Sequence, residues 1–247
     1  MGCKILIVCN NHQFIFIKTR KTAGTSVEIA LSRNCGPGDI VTTLSEKRGE
    51  EDLRREEGGF GPDRWQKGVF EHRGAREWRR LIKYGERAPR FERHATASDV
   101  RRVLGEHVWD SYYCFTVERN PWDRAVSRYW WDCGKGRRSD LSQAPPLSDY
   151  LRHLADEKPF KLSNWEHYAI DEHILVDRVL LFENLQADLD DLRDHLMLPA
   201  SLSLPRSRAK GTSRPPSQNY RDVLSRQDRD LISRVRAREI EAFGYEF

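Results

Sequence analysis

The residues best suited to chemistry fall in two short polar stretches, Lys21 to Ser26 and Arg119 to Ser127. In the first, Lys18-Thr19-Arg20-Lys21-Thr22-Ala23-Gly24-Thr25-Ser26 follows the β-branched and aromatic run Phe14–Ile17 and leads into the apolar-periodic Val27–Leu31. A loop between a strand end and a helix start presents unpaired backbone N–H groups, and the helix dipole adds partial positive charge there. Gly24 lets the backbone approach closely, Thr22, Thr25 and Ser26 supply hydroxyls, and Lys21 reaches a phosphate or sulfate oxygen. Together these parts make an anion cradle. The nucleoside-triphosphatase pattern GxxxxGK[ST] is not met, because the lysine precedes the glycine, Thr25 follows it, and the upstream glycine is missing. The bland alternative is an ordinary turn rich in hydroxyl residues.

In the second stretch, Arg119 lies at the end of the strand-like run Tyr112–Val117. Ser127 sits inside a helix that Pro121 opens, with Asn120 as cap and Asp123 closing a capping box. A strand-tip arginine and a serine on the next helix can converge on one phosphate, the arginine through two parallel hydrogen bonds. The alternative is that Arg119 pairs with Asp123 and Ser127 faces backbone. The helix is expected to run to about Trp131, which puts Trp130 and Trp131 one turn beyond Ser127.

Elements able to hold these loops are legible along the chain. Ile5–Val8 and Phe14–Ile17 read as a strand pair or hairpin, and Val179–Phe182 as a further strand. Ala75–Lys83, Ser98–Leu104 (Ser98 as cap), Leu147–Ala155 and Leu185–Leu196 read as helices. Ser225 with Asp228 makes a capping box before one amphipathic helix carrying Leu231, Ile232, Val235, Ile240 and Phe243. Strands alternating with helices predict an α/β fold with a largely parallel central sheet flanked by helices. Ligands in such sheets sit at the carboxyl ends of the strands, where both polar loops fall. Ser45–Gln66 carries charge blocks and glycines without periodicity and is expected to be a mobile loop or lid.

Composition narrows the classes. A chain of 247 residues can bury one large core, and a single domain over 1–247 is expected. Forty-two basic against 38 acidic residues, interleaved, give a net charge of only +4, which suits an anionic small ligand better than nucleic acid. Five scattered cysteines, odd in number and never spaced CxxC, argue against a disulfide framework or a zinc site and fit a reducing compartment. Ile5–Val8 is too short for a signal sequence or a membrane span, so a cytoplasmic protein is expected.

With these residues in view, the chain resembles the sulfotransferase superfamily that uses 3′-phosphoadenosine 5′-phosphosulfate (PAPS), in particular its carbohydrate (family 2) members. Lys21-Thr22-Ala23-Gly24-Thr25-Ser26 is similar to their phosphosulfate loop. Arg119-Asn120-Pro121-Trp122-Asp123-Arg124-Ala125-Val126-Ser127 is similar to their 3′-phosphate segment. Phe182-Glu183-Asn184-Leu185 resembles a later strand-end element, and Phe243-Gly244-Tyr245-Glu246-Phe247 the family's C-terminus. The similarity covers most of the chain in the right order.

The resemblance implies a P-loop-NTPase-like sulfotransferase fold, PAPS as donor, PAP as product and no metal requirement. It also implies an acceptor hydroxyl on a carbohydrate, a glycolipid or a small metabolite. On the same ground Lys21 would stabilise the bridging oxygen, and Arg20, Thr22, Ala23, Gly24, Thr25, Ser26, Arg119 and Ser127 would hold the nucleotide. Lys210-Gly211-Thr212, in the basic Arg206–Arg214 loop, would close on the 3′-phosphate. His94 has the position of the base, with His72 and Glu92 in reserve. Trp122 either stacks on adenine or anchors the helix start. Arg20 stands where many relatives have proline, which leaves Lys18 and Arg20 open as sharers of the Lys21 role. A magnesium-dependent kinase and a non-catalytic nucleotide binder are the rival functions. The first is disfavoured by the missing glycine-lysine pair.

Overall fold

The computed structural model describes residues 6–72, 74–91, 95–134, 144–205 and 219–247. In chain order, β1 (Leu6–Cys9), β2 (Phe14–Ile17) and α1 (Gly24–Ser32) precede β3 (Ile40–Val41), α2 (Glu50–Glu56), α3 (Ala75–Tyr84) and α4 (Ala97–Leu104). Next come α5 (Glu106–Ser111), β4 (Tyr113–Glu118), α6 (Pro121–Cys133), α7 (Leu147–Glu157) and α8 (Trp165–Tyr168). The hairpin of β5 (Ala169–Ile170) and β6 (His173–Ile174) leads to β7 (Arg178–Leu181) and α9 (Leu185–His195). The last helices are α10 (Tyr220–Val223), α11 (Arg226–Val235) and α12 (Ala237–Phe243).

The central sheet has the order β3-β1-β2-β4-β7. β2–β4 and β4–β7 are parallel, whereas β1 runs antiparallel to both β2 and β3. The sheet is therefore mixed, which corrects the expectation of a largely parallel one. The reason is connection length: only Asn10 to Gln13 join β1 to β2, enough for a hairpin turn and too few for a crossover. Gln13 takes a left-handed conformation (φ 51°) to close that turn.

Pleating sends alternate residues to opposite faces. Leu6, Val8, Ile15, Ile17 and Cys114 pack with Val100, Trp109, Trp165 and Tyr168 on one side. Ile7, Cys9, Phe14, Phe16, Phe115 and Val117 pack with Val27, Leu31, Leu189 and Leu192 on the other. With both faces covered, β1 and β2 are buried throughout and read in the sequence as unbroken apolar runs. A third core joins α6, α7 and α11 around Trp122, Val126, Leu151, Leu154 and Ile232. Among the described residues no helix is long and apolar enough to cross a membrane.

Three boundaries differ from the sequence reading. The cap of α4 is Thr96, not Ser98: the Thr96 hydroxyl accepts from the Asp99 N–H, and the Asp99 carboxylate accepts from the Thr96 N–H, both at 3.1 Å. The last amphipathic segment is broken at Arg236 (φ −118°, ψ 23°) into α11 and α12. The stretch expected as a loop from Ser45 holds a 3₁₀ turn, Glu46–Arg48, followed by α2. Three of its charges, Glu50, Glu51 and Arg54, turn inward: Arg54 donates to the Thr42 carbonyl at 3.1 Å, to Glu28 at 3.2 Å and to Glu51 at 3.2 Å.

Candidate functional site

Ile17 stands level with Thr116, and Glu118 with Leu181, so the loops after β2, β4 and β7 leave the sheet along one edge. The first of these loops is sewn to its neighbours. The Thr19 hydroxyl donates to the Val117 carbonyl, and Asn164 accepts from the Arg20 N–H (3.0 Å) and donates to the Arg20 carbonyl (3.1 Å). Lys21 (φ 65°) and Ala23 (φ 57°) are both left-handed, a costly state for side-chain-bearing residues. Alternating handedness is the backbone pattern of anion-binding nests. No side chain caps α1. Among the described residues, the Gly24 and Thr25 N–H groups of its first turn have no acceptor.

Side chains of this loop divide into two groups. Lys18 is buried, donating to Thr25 Oγ1 at 2.9 Å and to Glu28 at 3.0 Å, so it braces the loop from beneath. A Cβ on Gly24 would meet Lys18 Cγ at 2.5 Å. The glycine is thus needed for the close pass of a lysine stem, a reason internal to the fold that the sequence reading did not contain. The Thr22 hydroxyl is occupied by Thr19 at 2.9 Å, and Arg20 donates to the Phe160 carbonyl at 3.0 Å. Burial, and then the charge of Arg128, lower the Arg20 pKa. Ser26 and Lys21 remain half-exposed.

Arg119 joins the two stretches. Its Nη1 donates to the Lys21 carbonyl at 3.1 Å and approaches Ser127 Oγ at 3.4 Å, while Nε and Nη2 bind Asp123 at 2.7 and 2.5 Å. The arginine therefore pairs with Asp123 and still turns one edge toward Ser127. The Phe182 ring lies 3.9 Å from the guanidinium carbon. Glu183 Oε1 accepts from the Asn120 N–H at 2.7 Å, so the Phe182–Asn184 turn fixes both Arg119 and the cap of α6. The Asn120 side chain accepts from the Trp122 and Asp123 N–H groups at 3.1 Å. Because Asp123 turns to Arg119, it closes no capping box. Trp122 is buried, donates to the Arg229 carbonyl at 3.2 Å and packs edge-on against Phe247, which makes it an anchor.

Residues that the sequence reading left without a role complete the edge. Trp131, one turn beyond Ser127 on α6, carries the Lys21 ammonium 4.6 Å and the Arg48 guanidinium 4.4 Å from its ring centre. Below Arg119, buried Glu118 accepts from the Arg119 N–H at 2.9 Å, from Asn164 at 3.2 Å and from the Tyr168 hydroxyl at 3.0 Å. Burial and the charges of Glu118 and Glu239 push the Tyr168 pKa up. Arg124 is fully buried nearby, and burial followed by the charge of Arg236 lowers its pKa to about 9.

His72 is also buried, but its Nδ1 donates to the Gly68 and Val69 carbonyls (2.9 and 3.0 Å) and its Nε2 accepts from the Ala88 N–H (3.0 Å). Both nitrogens hold a loop, so the imidazole is structural. His94, Glu92, Lys210, Gly211 and Thr212 lie outside the described residues. At the opposite sheet edge the Cys9 and Cys35 thiols and the Asp39 carboxylate lie within 4.8 Å of one another. The Asp39 oxygens already accept from the Asn10 N–H (2.7 Å) and the Gly36 N–H (2.8 Å).

A family model described as the sulfotransferase family matches residues 4–246. An uncharacterised protein of Archaeoglobus fulgidus is 26% identical over 135 residues, covering 51% of this chain and 96% of that protein. No solved structure matches. The chain belongs to the sulfotransferase family.

Proposed function

We propose that this sulfotransferase-family chain moves a sulfuryl group from PAPS to an acceptor hydroxyl, of a carbohydrate or a small metabolite, in the cytoplasm. The observation that carries the reading is the 3.1 Å bond from Arg119 to the Lys21 carbonyl, which sets two groups suited to binding anions side by side. A donor with phosphate at both its 3′ and 5′ positions needs two anion sites, and an ordinary adenine nucleotide needs one. The same juxtaposition supports a P-loop-like arrangement, with β2, the Lys21 loop and α1 as strand, cradle and helix.

Bound PAPS would supply an activated sulfonate, whose bond to the 5′-phosphate oxygen breaks as a bond to the acceptor oxygen forms. The first-turn N–H groups of α1 and the Ser26 hydroxyl suit the 5′ side. The Arg119 Nη1 edge and Ser127 Oγ suit the 3′-phosphate. Lys21 neutralises charge growing on the leaving oxygen, a stabilisation available only as the bond breaks. The acceptor proton goes to a base, which the resemblance assigns to His94.

The test is calorimetric titration of PAP and of 5′-AMP into the wild type and Arg119→Ala. Charge-assisted bonds of about 1.5–3 kcal/mol each make the wild type prefer PAP by one to two orders of magnitude. Arg119→Ala loses most of that preference and keeps its affinity for AMP. Equal wild-type affinities for PAP and AMP overturn the reading.

A further inference from the structure

We propose that α3 is a docking surface for an anionic lipid bilayer, on which the helix lies without crossing. A helix that packs on a core turns its apolar stripe inward and its charges to water. In α3 the order is reversed. Ala75, Trp78 and Ile82, at i, i+3 and i+7 on one face, are all exposed, Ile82 to 80%. Glu77, Arg80 and Leu81 are the half-buried residues, and no residue of the helix is buried. Two of those three are held by ions: Glu77 accepts from Lys67 at 2.6 Å, and Arg80 donates to Glu86 at 2.8 Å. Phe70, 99% exposed, stands in the turn before the helix. The Trp78 indole N–H donates to the carbonyl of His72, just after that turn, at 3.1 Å.

Charge says what covers this face. Residues 67–90 carry eight basic against three acidic side chains in a chain whose net charge is only +4, so the positive excess is concentrated here. Each of the three acids already meets a cation: Glu71 meets Arg90, Glu77 meets Lys67 and Glu86 meets Arg80. Arg76, Arg79 and Lys83 form an exposed basic stripe at i, i+3 and i+7 beside the apolar one. Among the described residues no carboxylate pairs with them. A bilayer surface accepts both stripes at once, the apolar side chains at the acyl boundary and the cations among anionic headgroups. A second copy of this chain docked here would bring two basic stripes into one interface. A soluble polyanion would answer the charge and leave Ile82 in water.

The test is co-sedimentation of the full chain with vesicles of phosphatidylcholine, alone or with about one third phosphatidylserine. The wild type is expected to bind the anionic vesicles at least about tenfold more tightly, and to lose that binding as salt rises toward about 0.5 M. Ile82→Ser weakens it about threefold to tenfold through lost apolar burial, and Arg79→Gln with Lys83→Gln about tenfold through lost charge. Both variants change exposed side chains, so their melting temperatures stay at the wild-type value. Absence of binding to anionic vesicles at low salt overturns the proposal, and so does binding that neither variant weakens. Two further results also overturn it. One is self-association that Ile82→Ser abolishes in a protein that ignores vesicles, which assigns the face to a second copy. The other is tight binding to polyglutamate with none to vesicles, which assigns it to an acidic protein partner. Neither PAPS nor PAP enters these measurements, so their outcome is independent of the donor reading.

Discussion

Lys18, Arg54, Glu28 and Glu51 lie buried under the Lys21 loop, and Arg124, Arg236, Glu118 and Glu239 lie buried under the Arg119 strand tip. Each cluster sets two cations against two anions, yet they are wired differently. In the first, Glu28 accepts from Lys18 (3.0 Å), Thr42 Oγ1 (3.1 Å) and Arg54 (3.2 Å), and Arg54 also binds Glu51 and the Thr42 carbonyl. Among the described residues its cations leave only Arg54 Nε without a partner. In the second, Arg236 approaches Glu239 at 2.5 Å but out of line for a hydrogen bond, and stands 3.9 Å from Glu118. Arg124 leaves Nε and Nη1 unbonded among the described residues. Equal charge counts thus hide unequal hydrogen bonding, and it is the bonding that offsets the cost of taking ions out of water. The first cluster acts as a staple for the loop above it. In the second, the anions do the organising and the arginines are tolerated.

The largest effect expected from that contrast is at Glu118. This carboxylate receives the Arg119 N–H, Asn164 and the Tyr168 hydroxyl, and it faces Arg236. Glu118→Ala leaves two buried guanidinium groups with Glu239 alone, a loss of about 3–5 kcal/mol. Denaturant titration of the variant checks this, and a cost below about 1 kcal/mol would break the view that anions organise the second cluster. Next is Arg54→Met. Glu28 keeps Lys18 and Thr42, so the expected cost is near the lower end, about 3 kcal/mol. Proteolysis should also cut the 46–56 segment faster in that variant. Unchanged stability and unchanged cleavage would show that the staple holds nothing.

Both polar stretches were legible because their signals are local. Asn120-Pro121 marks a helix start wherever it falls, and a glycine with hydroxyl residues between an apolar β-branched run and an apolar-periodic run marks a tight strand-to-helix loop. The two-faced burial of β1 and β2 appears directly as apolar runs. What escaped the sequence reading depends on partners far along the chain. The 46–56 stretch has no apolar periodicity, so it reads as solvated, although Arg54 is neutralised by Glu28, 26 residues earlier. Lys18 and Lys21 look alike in sequence, and only Glu28 and Gly24 reveal which one is structural. Asn164 clamps Arg20 across 144 residues, a bond that no spacing rule contains. The break at Arg236 follows from that residue turning into the cluster at Glu118 and Glu239, where the periodicity of α11 predicts continuation.

The smallest effect separates the two clusters most cleanly, because the same substitution is made in each. Arg124→Met should cost within about 1 kcal/mol at neutral pH, since methionine fills similar space and no ion desolvation has to be repaid. Arg54→Met, in the well-bonded cluster, costs several times more. The pH dependence gives a second reading of the same point. Burial, then Arg236, depress the Arg124 pKa to about 9, with Glu118 opposing. For a cation with a folded pKa below its unfolded one, the cost of burial is fully present below the folded value. It is relieved as pH rises through that value toward the unfolded pKa, because there the unfolded chain binds the extra proton. The stability difference between wild type and Arg124→Met should therefore be flat from pH 6 to about 8.5 and shift in favour of wild type above about 9. Groups that do not interact with Arg124 are common to both proteins and cancel in the difference. An Arg124→Met loss as large as that of Arg54→Met, flat across this pH range, would mean that Arg124 is as well paired as Arg54, and the contrast between the clusters would fall.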